Sequence, residues 1–74
     1  MASGLRVQVR FKRWDDRAMA INRLQKELDF QVVKELGPEQ GIEGILQDLR
    51  FVNLAKGFGN IDEVTVLDYR AVHY

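Results

Sequence analysis

Side chains able to do covalent chemistry are scarce in this chain. Cysteine is absent, Thr65 is the only threonine, and Ser3 lies in what reads as a disordered tail over residues 1–4. A Ser-His-acid arrangement would have to join Ser3 to His73, one near each terminus, so covalent catalysis is not expected. His73 is the single conventional general base, and its place next to last in the chain reads as a strand-end side chain. Asp15 and Asp16 are adjacent, but a hard cation needs more oxygen ligands than one such pair offers. They read as a helix cap with favourable charge at the first turn. Asp62 and Glu63 read as a solvated turn at a strand entry. One histidine and no thiolate leave no metal site, and no cofactor is expected.

The basic residues carry more information. Residues 1–26 hold seven basic and two acidic side chains, a net +5; residues 27–74 hold four basic and nine acidic, a net −5. Arg6, Arg10 and Lys12 alternate with apolar residues and project from one strand face. Arg13, Trp14 and Arg17 continue the positive region into the turn and the helix. Arginine beside an aromatic suits phosphate or base contacts. These six residues are the candidate binding set. The plainer readings are charge protecting an edge strand, and a face that meets the acidic half of a neighbour. Overall neutrality counts against nucleic acid, because such domains are usually net basic.

Lys56-Gly57-Phe58-Gly59 resembles, over four residues, the opening of the aromatic, glycine-rich strand motif of RNA-recognition-motif domains. That resemblance implies an RNA-facing strand. Asn60-Ile61-Asp62 departs from the motif, with Asn60 where the family places an aromatic, and the segment follows a helix. It reads instead as a helix C-cap followed by an anchoring Phe58. Gly57 and Gly59 do not form a phosphate loop, since such a loop precedes a helix and this one precedes a strand.

The elements that position these residues follow from periodicity. Leu5, Val7, Val9 and Phe11 alternate with Arg6, Gln8, Arg10 and Lys12, the pattern of a half-buried strand. Ala20, Ile21, Leu24 and Leu28 fall at helical spacing, which predicts a helix over residues 16–28. Residues 30–36 fit either a strand or a continuation of that helix, because Val32 and Leu36 prolong the stripe. A strand is favoured, since Asp29-Phe30 continues a helix poorly and a sheet needs more than two strands. Gly37-Pro38 is the strongest punctuation, with Pro38 suited to the first position of a helix. Ile42, Ile45, Leu46, Leu49 and Val52 predict that second helix, weakened by Gly41 and Gly44 and ended by Gly57 and Gly59. Residues 61–72 read as a strand, apolar on both faces through Leu67 and therefore central or covered on both sides.

The order is strand, helix, strand, helix, strand. The expected fold is a single α/β (α+β) two-layer sandwich over residues 1–74. It has a three-stranded sheet with two helices on one face, ferredoxin-like in general style, and its first and last strands close together. The expected core includes Val7, Val9, Ile21, Leu24, Leu46, Leu49, Val64 and Val66.

A chain of this size buries only ~60% of its unfolded surface. With 46% hydrophobic residues and no disulfide or zinc staple, oligomerisation is the remaining route to more core. There is no continuous apolar leader and no span of ~20 apolar residues. The expectation is a cytoplasmic, non-catalytic binding module that forms a homodimer, with a protein partner possible and no membrane. Two other readings remain open: a nucleic-acid-binding protein using the basic strand face, and a small-molecule-binding or enzymatic dimer.

Overall fold

The computed structural model describes residues 4–68. Ser3, His73 and the continuation of the last strand to residue 72 lie outside the described residues. Strand β1 (Leu5–Phe11) leads through a 3-10 turn (Trp14–Asp16) into helix α1 (Arg17–Leu28). Strands β2 (Gln31–Gly37) and β3 (Gly41–Leu46) form a hairpin. Helix α2 (Arg50–Lys56) and strand β4 (Ile61–Asp68) complete the described chain. The sheet has four strands in the order β2-β3-β1-β4, all antiparallel. This β-α-β-β-α-β connectivity is the split βαβ, or ferredoxin-like, arrangement.

The first half of the chain follows its pattern. Leu5, Val7, Val9 and Phe11 of β1 are buried, and Ala20, Leu24 and Leu28 of α1 pack with them. Asp29 takes a left-handed conformation, φ 55°, and Phe30 N–H donates to the Leu24 carbonyl at 3.2 Å. A single aspartate in this conformation is tolerable and stops the helix. The stop settles the ambiguity over residues 30–36, which form a strand. Asp16 is the N-cap residue of α1, but neither it nor Asp15 makes the side-chain capping bond expected of the pair.

Four expectations are corrected. The predicted three-stranded β-α-β-α-β order becomes four strands because residues 41–46 are strand, not helix. Gly37-Pro38 opens the β2–β3 turn, closed by Gln40 N–H donating to the Gly37 carbonyl at 3.2 Å. Gly41 has φ 86°, and a Cβ there would collide with the Val9 carbonyl. At Gly44 a Cβ would collide with the Phe30 ring and the Gln31 carbonyl. The two glycines that weaken a helix thus allow a central strand to lie close against its neighbours. Central position also accounts for burial on both faces of β3, which imitated a helical stripe.

Leu49 is the second correction. It was expected in the core but is 53% exposed, because the helical stripe through Ile42 and Leu46 does not exist and α2 begins only at Arg50. The third and fourth concern the positions of β4 and β1 in the sheet. β4 is an edge strand rather than a central one, and β1 is central rather than a charge-protected edge. Both edge strands carry register shifts, after Val32 and Glu35 in β2 and around Asp62 and Leu67 in β4. Each shift places an extra residue on the edge strand, which bends the edge away from flat pairing.

The remaining expected core residues are in place. Val7, Val9, Leu24, Leu46 and Val64 are buried, and Ile21 and Val66 pack partly buried against them. Both helices contribute to this one core, α2 through Val52 and Ala55. β1 and β4 are neighbours, as expected of the first and last strands.

Candidate functional site

The six candidate residues separate into three places. Arg6 and Arg10 project from β1 onto the sheet face opposite the helices. Because β1 is central, strands from the acidic half of the chain lie on both sides of it. Arg6 Nε meets Glu43 Oε2 of β3 at 2.6 Å. The Glu43 side chain is only 11% exposed, while that of Arg6 is 54% exposed. Arg10 Nη2 reaches Glu63 Oε1 at 3.0 Å and Asp62 Oδ2 at 3.3 Å on β4. Its Nε is buried and donates to no acceptor. Between them Gln8 stands opposite Glu43 on one side and Thr65 on the other, and donates from Nε2 to the Gln40 carbonyl at 2.7 Å. Lys34 of β2 stands opposite Glu43, and Ile45 opposite Arg6.

Cross-strand opposite charges of this kind contribute about 0.2–1 kcal/mol each. The charge asymmetry between the halves of the sequence is therefore met inside one chain on this face. The described residues of the face include no aromatic side chain on which a base could stack. Lys56-Gly57-Phe58-Gly59 lies at the end of α2 and in the connection to β4, not on the sheet. Phe58 is buried there, as an anchor.

Trp14 and Arg17 make a second group, on the helix side. The Arg17 guanidinium lies 4.1 Å from the Trp14 ring centroid, a cation–π stack. Its Nη1 donates to the Trp14 carbonyl at 2.9 Å and its Nε to Glu35 Oε2 of β2 at 3.1 Å. Trp14 also sits against Phe11, with ring centroids 6.1 Å apart. This cluster ties the start of α1 to β2 and covers one face of the indole.

Lys12 and Arg13 form the third group, at the end of β1. Asn60 holds their backbone: its carbonyl accepts from Lys12 N–H at 2.9 Å. Its side chain accepts from Arg13 N–H at 2.9 Å and donates to the Arg13 carbonyl at 3.0 Å. Their side chains line an open groove of about 670 Å³, with Met19, Arg23, Phe58 and Gly59 among its other walls. The Arg23 guanidinium lies 4.3 Å from the Phe58 ring centroid and its Nε donates to Glu27 at 2.7 Å. Arg13 Nη1 is 3.9 Å from Asp16, and Lys12 has no ion-pair partner among the described residues.

Sequence reasoning missed Met19, Arg23, Phe58 and Asn60 as a set. Met19 and Arg23 stand four residues apart outside the apolar stripe of α1, a spacing that places them on one helix face. Nothing in the sequence says that Phe58 and Asn60 come to meet that face.

At the start of α2 the Asp48 carboxylate accepts from Arg50 Nη2 at 3.0 Å and from Arg50 N–H at 2.9 Å. These bonds hold the Asp48 carboxyl below its ordinary range and raise the Arg50 guanidinium above its own. The pair closes an Asx turn just ahead of the helix, whose N-cap residue is Leu49.

Comparison of the chain with protein-family models, with curated proteins and with solved structures finds no match. No helix among the described residues is long and apolar enough to cross a membrane.

Proposed function

We propose that this protein is a small non-catalytic binding module that works as a homodimer, two copies packing through the sheet face that the helices leave bare. The observation that carries this reading is the self-neutralised character of that face. Arg6 and Arg10 pair with Glu43, Glu63 and Asp62 of the same chain. A face that closes its own ion pairs meets a copy of itself without like-charge repulsion, as an isologous twofold contact requires. It also offers little net attraction to a polyanion. Half-buried Ile45 and exposed Leu67 supply apolar area beside the ion pairs.

The dimensions of the sheet face set the scale of the contact. Four strands ~4.8 Å apart and about six residues long at ~3.3 Å per residue span roughly 19 by 20 Å. Side-chain relief raises the accessible area above that flat figure, toward the ~800 Å² per partner of a stable interface. The edge strands are poorer candidates, because their register shifts disturb continuous pairing with a second chain.

The test is the solution mass. Light scattering on the eluting protein at tens of micromolar should give twice the 8.6 kDa chain. Ile45→Lys and Thr65→Lys should each give the single-chain mass while keeping the parent's helix and strand signal in circular dichroism. A single-chain mass for the parent refutes the homodimer. A dimer that persists in both variants refutes the sheet-face contact. A nucleic-acid module would instead hold oligonucleotide at low salt and lose it on Arg10→Ala without a change of mass.

A further inference from the structure

We infer that the groove between α1 and the α2–β4 connection is a binding site for a small organic anion, one phosphate or carboxylate carried on a flat apolar body. The groove lies on the helix side, away from the proposed dimer face, so this inference goes beyond that reading. Its volume of about 670 Å³ falls within the ~300–1,000 Å³ of small-molecule sites. Its walls combine two chemistries. Lys12, Arg13 and Arg23 bring three cations to the walls, against the carboxylate of Asp16 there and that of Glu27 on Arg23. Met19, Ala20 and Phe58 bring apolar surface.

Arg6 and Arg10 of the sheet are committed to acids at 3.3 Å or less, whereas Lys12 and Arg13 of the groove are not. Lys12 has no ion-pair partner among the described residues. Arg13 is 79% exposed and only 3.9 Å from its nearest acid. Arg23 gives Nε to Glu27 while Phe58 holds its guanidinium flat, an arrangement that orients the remaining N–H groups at little further entropic cost. Met19, at 80%, is the most exposed large apolar side chain among the described residues. An exposed methionine beside Lys12 and the loosely held Arg13 suits a ligand with both an apolar body and a negative group, because the thioether adapts to flat apolar shapes.

The backbone of the site is rigid where rigidity is needed. Three hydrogen bonds with Asn60, two accepted and one donated by it, fix Lys12 and Arg13 to the α2–β4 connection. A Cβ at Gly59 would meet no atom within 4 Å, so the rim there is open to an incoming group. Lys12, Arg13 and Arg23 meet around one groove, and a compact anion can use them without the extended track that a polyanion needs.

The experiment is a titration of the full chain, followed by amide chemical shifts, with phenyl phosphate, inorganic phosphate and benzyl alcohol as separate probes. Phenyl phosphate should shift Lys12, Arg13, Met19, Arg23, Gly59 and Asn60 and bind tightest. Inorganic phosphate should shift the same amides more weakly, and benzyl alcohol hardly at all. Lys12→Gln and Arg13→Gln, both at exposed positions, should each weaken phenyl phosphate and inorganic phosphate about fivefold. Met19→Ser should weaken phenyl phosphate and leave inorganic phosphate unchanged. The inference is overturned if the shifts centre elsewhere, if benzyl alcohol matches phenyl phosphate, or if neither charge variant changes affinity. It is also overturned if a thymidine oligonucleotide binds the groove far more tightly than phenyl phosphate, since the occupant is then a nucleic-acid strand.

Discussion

Replacing Arg6 by Met should destabilise the protein by about 2 kcal/mol, although Arg6 is a surface arginine. The magnitude comes from its partner. Glu43 has a side chain only 11% exposed, and Arg6 Nε is its ion-pair partner at 2.6 Å. Stripping the partner from a fully buried charge costs about 3–5 kcal/mol. The Arg6 side chain is 54% exposed, so water takes up part of the loss and brings it down to about 2 kcal/mol. In a chain of this length ~2 kcal/mol lowers the melting temperature by roughly 8–16 °C. Glu43→Met should cost less, because the Arg6 head group can turn into water when its partner goes. Replacing both by Met removes the buried charge together with its counter-ion and should return to within about 1 kcal/mol of the parent. The assay is urea denaturation of the parent, both single variants and the double. The reasoning is refuted if the coupling energy of this cycle lies within ~0.3 kcal/mol of zero, the level of additivity for independent sites. The same result would return Arg6 to the pool of free cations.

Leu24→Ala should cost about 2–5 kcal/mol, as a fully buried leucine does, whereas Leu49→Ala should cost about 0.5 kcal/mol or little more. Equal losses in a paired denaturation measurement would restore a helical stripe running through Leu49. Asp48 gives a pH dependence with a definite sign. Its hydrogen bonds from Arg50 lower its folded pKa, so its stabilisation is present above the unfolded carboxyl value of ~3.9 and disappears as pH falls through the lower folded value. Thermal melts of parent and Asp48→Asn should therefore differ by a constant amount above about pH 5 and converge in more acidic solution; a gap that widens on acidification would contradict the stabilising role of the Asp48–Arg50 bonds.

Local pattern alone determined much of this molecule. The alternation of Leu5, Val7, Val9 and Phe11 specifies a strand with one apolar face, and the spacing of Ala20, Leu24 and Leu28 specifies α1, because side-chain period follows backbone geometry. The neighbouring of β1 and β4 also agrees with the expectation that the first and last strands lie close together. Residues 41–46 were not. Ile42, Ile45 and Leu46 satisfy a helical period and a doubly buried strand equally well, and only the surroundings decide between them. Phe30 over Gly44 and the β1 backbone against Gly41 are contacts between residues distant in the chain. The candidate site divides in the same way. The sequence marked Arg6, Arg10, Lys12, Arg13, Trp14 and Arg17 as one basic run. Tertiary structure paired Arg6 and Arg10 with acids from β3 and β4 and folded Arg17 onto Trp14 and Glu35. It left Lys12 and Arg13 beside Arg23 and Phe58. Residue type determines which charges exist; strand order determines which of them are already answered, because an ion pair depends on distance in space and not on distance along the chain.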